Sequence, residues 1–126
     1  MIVCVPVTPA GEIDPSCGRA SRVGIADVEG GRLVHWQEFE VGWDVVHDTG
    51  TEGGPHARIA RFTREHGAQV VVAHRMGDAM LHMLGRMGLD SHLGAAGDAR
   101  VAVLAVAGEP RPYRHVGSYR RDRRRR

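Results

Sequence analysis

A chain of 126 residues with 42% hydrophobic content is long enough to bury a core without disulfide or metal staples. No apolar run approaches membrane-spanning length, and two cysteines make no disulfide framework. The net charge of +2 is unevenly spread: residues 111–126 hold eight arginines and one aspartate, the other 110 residues nine arginines against fourteen acids.

The opening MIVCVPV has no basic segment before its apolar residues, so it reads as a first strand and not a signal peptide. Both thiols are therefore expected to be reduced, in the cytoplasm. Residues 2–7 are apolar on both faces, as in a central strand, with Pro6 expected near its end. A Pro-, Gly- and Asp-containing loop follows, closed by Cys17-Gly18-Arg19. Residues 22–29 and 32–41 read as two strands joined at Gly30-Gly31, a hairpin turn that favours positive φ. In the second of them Leu33, His35, Gln37, Phe39 and Val41 alternate with Val34, Trp36, Glu38 and Glu40.

Residues 42–54 form a long loop carrying Trp43 and His47, and Pro55 suits a first helical position. The following helix sets Ile59, Phe62, Thr63 and His66 on one face and Arg58, Arg61 and Arg64 on the other, and Gly67 ends it. Val70-Val71-Val72 is a buried strand that breaks at Ala73-His74-Arg75-Met76-Gly77. Met80, Met83, Leu84 and Met87 then share one face of a second helix, ended by Gly88. Residues 89–93 are a short last strand and 94–97 a small-residue turn. Asp98 as a cap marks residues 98–107 as a helix. From residue 109 onward the chain reads as a disordered arginine-rich tail.

The order is β-β-β-α-β-α-β-α, an antiparallel front half joined to a parallel back half in one mixed five-stranded sheet. With the first, fourth and fifth strands as parallel neighbours, four loops meet at one end of the sheet: those carrying Cys17, Trp43 and His47, His74 and Met76, and residues 94–97. In open α/β sheets ligands sit at that end.

Four segments, in this order and spacing, resemble the dinitrogenase iron–molybdenum cofactor biosynthesis family, the small NifX-type carriers and the carboxy-terminal domain of the NifB scaffold. They are MIVCVPV with GEIDPSCGRAS, the ADVEGGRLV hairpin, GTEGGPHARIARF, and VVVAHRMGDAMLHMLGRMGL with LGAAGDAR. The resemblance covers residues 1–108. It implies a ribonuclease-H-like three-layer domain that holds an iron–sulfur or iron–molybdenum-type cluster, or its precursor, and passes it on without chemistry of its own. Where the family commonly has His-Phe before Gly-Arg in the first loop, this chain has Ser16-Cys17. Where the turn after the fourth strand is usually small and glycine-rich, it has Ala73-His74-Arg75.

A carrier of this kind needs a few soft or borderline ligands and positive potential, because sulfide-rich clusters are anionic. The expected site is Cys17, Arg19, His47, His56, His74, Arg75, Met76 and Gly77, with Cys17, His74 and His47 as metal ligands. Cys17 leads, since Arg19 beside it favours thiolate. Arg22 and the backbone N–H groups after Gly54 and Gly77 add positive potential. Met76 is a candidate thioether, although Met76, Met80, Met83 and Met87 also make a core stripe. Cys4 reads as core packing. No Cys-x-x-Cys or His-x-x-x-His pair suggests structural zinc, and the first strand lacks the carboxylate with which a ribonuclease-H-like nuclease holds magnesium, so no enzyme is expected.

The partners implied are cluster donor and acceptor proteins, with a homodimer left open and no membrane. Nucleic acid is not expected as a partner: the basic tail alone would contact phosphates, and no aromatic-and-basic sheet face accompanies it. The alternative reading is the same fold serving as a metal-free small-ligand or protein-interaction module.

Overall fold

A computed structural model describes residues 1–45 and 54–107. Five strands, β1 (Ile2–Val7), β2 (Arg22–Glu29), β3 (Arg32–Glu40), β4 (Val70–Val72) and β5 (Asp90–His92), form one sheet in the order β3-β2-β1-β4-β5. β1 runs antiparallel to β2 and parallel to β4; β2 and β3 are antiparallel, β4 and β5 parallel. Three helices, α1 (Gly54–Glu65), α2 (Asp78–Arg86) and α3 (Ala99–Ala107), complete an α/β fold with the expected element order. Among the described residues no helix is long and apolar enough to cross a membrane.

The sheet separates two cores. On one side Cys4, Val23 and Val71 pack with Ile59 and Phe62 of α1 and Met80 and Leu84 of α2. On the other, Val3, Val5, Val7, Ala26, Val28, Val70 and Val72 meet Ala99 and Val103 of α3. Alternate residues of β1 and β4 thus enter opposite cores, which is why both strands read as unbroken apolar runs. β4 pairs only with Val3 and Cys4 of β1, so Pro6 lies past the end of that ladder and its missing N–H costs the sheet nothing there.

Local signals act where they stand in the sequence. Gly30 and Gly31 take φ of 59° and 78°, the two positive values of the tight hairpin that brings Glu29 opposite Arg32. Asp98 caps α3: its Oδ1 accepts the Val101 N–H at 3.1 Å. Gly67 and Gly88 end α1 and α2 in the left-handed region, at φ 66° and 86°.

The uniform alternation expected of β3 does not hold. Val28 lies opposite Leu33 and Asp27 opposite His35, so Val34 is an extra, bulged residue, 61% exposed. The bulge reverses the facing of the strand. Leu33 and Trp36 pack against the α3-side core, whereas Phe39 and Val41 pack against the other. Trp36 then lies over Gly24, where an added Cβ would stand 3.0 Å from the indole. The small residue in β2 makes room for the ring.

The expected arginine face of α1 also needs correction. Arg61 and Arg64 are exposed, but Arg58 turns inward and its Nη2 donates to the Gly18 carbonyl at 2.9 Å. Opposite, His66 tilts against Phe39 and Phe62 with ring centroids 4.6 and 4.3 Å away, an aromatic cluster that seats α1 on the sheet.

Candidate functional site

β1 and β4 are adjacent and parallel, so the loop after β1 and the turn after β4 leave the sheet side by side. Between them lies a cleft of about 430 Å³, lined by Pro15, Ser16, Cys17, His56, Arg75, Met76, Gly77 and Met80. The first loop is shaped by its own polar groups. Asp14 Oδ1 accepts the Ser16 N–H at 2.8 Å, the Arg19 N–H donates to the Ser16 carbonyl at 3.2 Å, and Gly18 takes φ 93°. Arg58 then ties the Gly18 carbonyl to α1, the helix that brings His56 to the same cleft.

The opposite wall is the start of α2. Gly77 is its N-cap in extended geometry, φ −67° and ψ 157°, with no side chain capping the helix. That φ suits any residue, and a Cβ at Gly77 would meet nothing within 4 Å. Neither backbone strain nor a neighbour demands glycine here. Its absent side chain leaves the cleft open beside the positive end of the helix. One turn on, Met80 is buried with its Sδ 3.8 Å from Cys17 Sγ.

Cys17 is the expected residue in an unexpected state. Burial pushes its thiol up to about 12, and the Asp14 carboxylate pushes the same way; Arg19 does not offset them. The thiolate expected from the Cys17-Gly18-Arg19 run is therefore corrected to a neutral thiol, because desolvation outweighs a sequence neighbour. Cys4, fully buried on β1, is raised as well, by burial and by Cys17. Cys17 is half-buried, and native protein should accordingly react with iodoacetamide at pH 8 at least tenfold more slowly than urea-unfolded chain; equal rates would refute the neutral thiol. Since the folded pKa is raised from a usual thiol value of about 8.5, the thiol's contribution to stability is whole below that value. It is lost as pH rises through about 12.

Five of the eight expected site residues, Cys17, His56, Arg75, Met76 and Gly77, line the cleft. Arg19 and His74 do not. His74 is exposed and turns to the 94–97 turn, where its Nδ1 lies 3.2 Å from the Ala95 carbonyl oxygen and its own carbonyl accepts the Gly94 N–H. His47 lies outside the described residues. Arg22, expected to add positive potential, is neutralised by ion pairs to Glu38 and Glu40 at 3.3 and 3.0 Å. Among the described residues no three of His, Cys, Asp and Glu group as a metal site. Pro15, Ser16 and Met80 of the lining, and Arg58, which braces the loop, are not among the expected eight. Met80 was absorbed into the core stripe, although one residue of such a stripe at a helix's first turn reaches the loop end of a sheet. Arg58 was placed with its exposed neighbours, and no local signal marks it.

The Cys17 loop, the His74 turn and the 94–97 turn share one end of the sheet but divide there; most of the expected fourth loop, with His47, lies outside the described residues. Residues 15–17 and 75–77 face the α1 and α2 layer. The 94–97 turn instead bonds back to the first loop and the β4 turn, through Ile13 N–H to the Gly97 carbonyl and Ala95 N–H to the Ala73 carbonyl.

A sheet of this topology, with a cleft at its carboxyl end walled by a loop and a helix start, defines a small α/β domain with a candidate binding site. Residues 1–108 match the family model described as dinitrogenase iron-molybdenum cofactor, and the chain belongs to that family. No curated protein matches the sequence. Among solved structures the chain is similar to PH0822, at 19% identity and a TM-score of 0.68, covering 86% of this chain and 89% of that one. It is similar also to the apo form of the orange protein from Desulfovibrio gigas, at 19% identity and TM-score 0.68, over 84% and 86% of the two chains. A NifB-like protein of Thermotoga, TM1290, of the DUF35 family, is similar at 18% identity and TM-score 0.61, over 84% and 86%. At these identities the likeness is one of fold.

Proposed function

We propose that this chain is a non-catalytic carrier that receives an iron–sulfur or iron–molybdenum-type cluster, or its precursor, in the cleft between the Cys17 loop and the start of α2, and hands it on. The observation that carries this reading is the lining itself. One thiol, two thioethers and one imidazole face a space of about 430 Å³ beside the uncapped end of a helix. Family membership supports the cargo class. The order β3-β2-β1-β4-β5 supports reading the fold as ribonuclease-H-like.

The physics of carrying follows from how little the site offers. Cys17 is the strongest donor, and it loses its proton when a metal takes the sulfur. His56 provides a second donor from α1. The Gly77 gap admits the anionic cargo to the N–H groups of α2, and Arg75 adds a full positive charge. So few bonds hold a cluster without making its release slow. His74, bonded to the 94–97 turn, serves the rim and not the first ligand shell. Donor and acceptor proteins meet the open mouth, in a reducing cytoplasm that keeps Cys17 free.

The test is metal and sulfide analysis, with a visible spectrum, on protein isolated anaerobically from a cluster-competent host. Iron with labile sulfide and a visible chromophore, reduced at least tenfold by Cys17→Ala, is the expected result. Colourless protein that also refuses added cluster would overturn the carrier reading.

A further inference from the structure

On the α3 face of the sheet, away from the Cys17 cleft, a second hollow of about 260 Å³ lies between the turn at residues 9–11, the start of α3, and Trp36 and Glu38 of β3. Its walls are braced to one another. The Ala99 N–H donates to the Gly11 carbonyl at 3.0 Å and joins helix to turn. The Arg100 guanidinium lies over the Trp36 ring, 5.0 Å from its centroid, and joins helix to sheet. Glu38 fixes the indole: its Oε2 accepts the Trp36 Nε1–H at 3.0 Å, while its Oε1 accepts from Arg22 at 3.3 Å. Both Glu38 oxygens thus have partners.

Two lining charges remain. Asp98 spends Oδ1 on the Val101 N–H and keeps Oδ2. Arg100 is exposed, and its stacking on the indole uses none of its N–H donors. Neither side chain forms an ion pair with the other or with another described residue. A carboxylate and a guanidinium thus line one hollow without pairing, an acceptor for a cation beside a donor fork for an anion. We infer that this hollow binds a free α-amino acid with a small side chain, its carboxylate on the Arg100 fork and its ammonium group on Asp98. The planar fork matches a carboxylate with two parallel hydrogen bonds. Charge selects the zwitterion: a purely anionic ligand would face Asp98 and Glu38, and a purely cationic one would face Arg100. Size selects with it, because pockets for drug-sized molecules begin at about 300 Å³. Pro9 and Ala10 leave an apolar wall for the side chain.

The hollow shares no lining residue with the Cys17 cleft, so amino-acid binding and cluster binding succeed or fail separately. The test is an NMR titration of the full chain with glycine, L-alanine and L-serine, following the Trp36 indole N–H, which a Trp36→Phe variant identifies. Propionate and ethylamine, which are alanine without its ammonium group and without its carboxylate, are titrated beside them. The expected result is a saturable shift of the indole N–H with at least one of the three amino acids, at one molecule per chain. Each alanine fragment should bind about tenfold more weakly than alanine or worse, as the loss of one charge-assisted hydrogen bond requires. Arg100→Gln and Asp98→Asn should each weaken the amino acid by about tenfold or more. Both variants should fold, since Arg100 is exposed and asparagine caps a helix as well as aspartate does; unchanged melting curves check this. No shift with any of the three up to about 10 mM, propionate binding as tightly as alanine, or affinity unchanged in Arg100→Gln would each overturn the assignment.

Discussion

Gly77→Asp is expected to reduce cluster uptake about a hundredfold while the domain stays folded. The backbone at Gly77 is extended, so aspartate adopts it without strain, and its Cβ meets no atom within 4 Å. As an N-cap the carboxylate accepts an N–H of the first turn of α2, which is worth a few tenths of a kcal/mol over glycine. The same carboxylate then stands in the cleft against an anionic cargo. Two like unit charges about 6 Å apart repel by about 3 kcal/mol at an effective dielectric of 20, roughly a hundredfold in affinity. The two effects have opposite signs, so a melting curve and a cluster titration on one sample separate them. A variant with an unchanged melting temperature and unchanged uptake would show that the cargo does not approach α2.

Leu84→Ala carries the largest expected effect on stability. Leu84 is fully buried where α2 meets β1, β4 and α1, among Cys4, Val71, Ile59 and Met80. Removing three carbons from such a site costs about 2–5 kcal/mol, the transfer term plus the cavity left behind. For a domain of this size each kcal/mol lowers the melting temperature by about 4 °C, so a drop beyond about 8 °C is expected in a calorimetric scan. The cleft should loosen too, because Met80 lies one turn before Leu84 on the same helix and both fill this core. Iodoacetamide would then reach Cys17 faster in native buffer. A drop below about 3 °C would mean that α2 is seated mainly by its hydrogen bonds to the adjoining turns.

Much of this was legible in the residues alone, wherever the signal and its effect lie close together in the chain. The Gly30-Gly31 turn, the Asp98 cap, the glycine ends of α1 and α2 and the apolar runs of β1 and β4 each act within a few residues, through allowed φ, a missing N–H partner or the period of the side chains. The expected adjacency of the first, fourth and fifth strands is the one found, and the strands apolar on both faces are those covered by helices on both faces. That placed Cys17, His56, Arg75, Met76 and Gly77 near one mouth.

What depended on distant contacts was decided only by the tertiary structure. A single bulged residue, Val34, reverses the facing of β3, and no periodicity announces one extra residue. Arg58 reaches 40 positions back to Gly18, and His74 reaches 21 positions on to Ala95. Such reaches depend on which loops pack together, not on local pattern. The protonation of Cys17 is the plainest case. Its sequence neighbour is an arginine, but the free energy of a charge depends on everything around it in space. There burial and Asp14 prevail over Arg19. Residue types near a mouth can be read in order along a chain; their orientation and charge are properties of the packed whole.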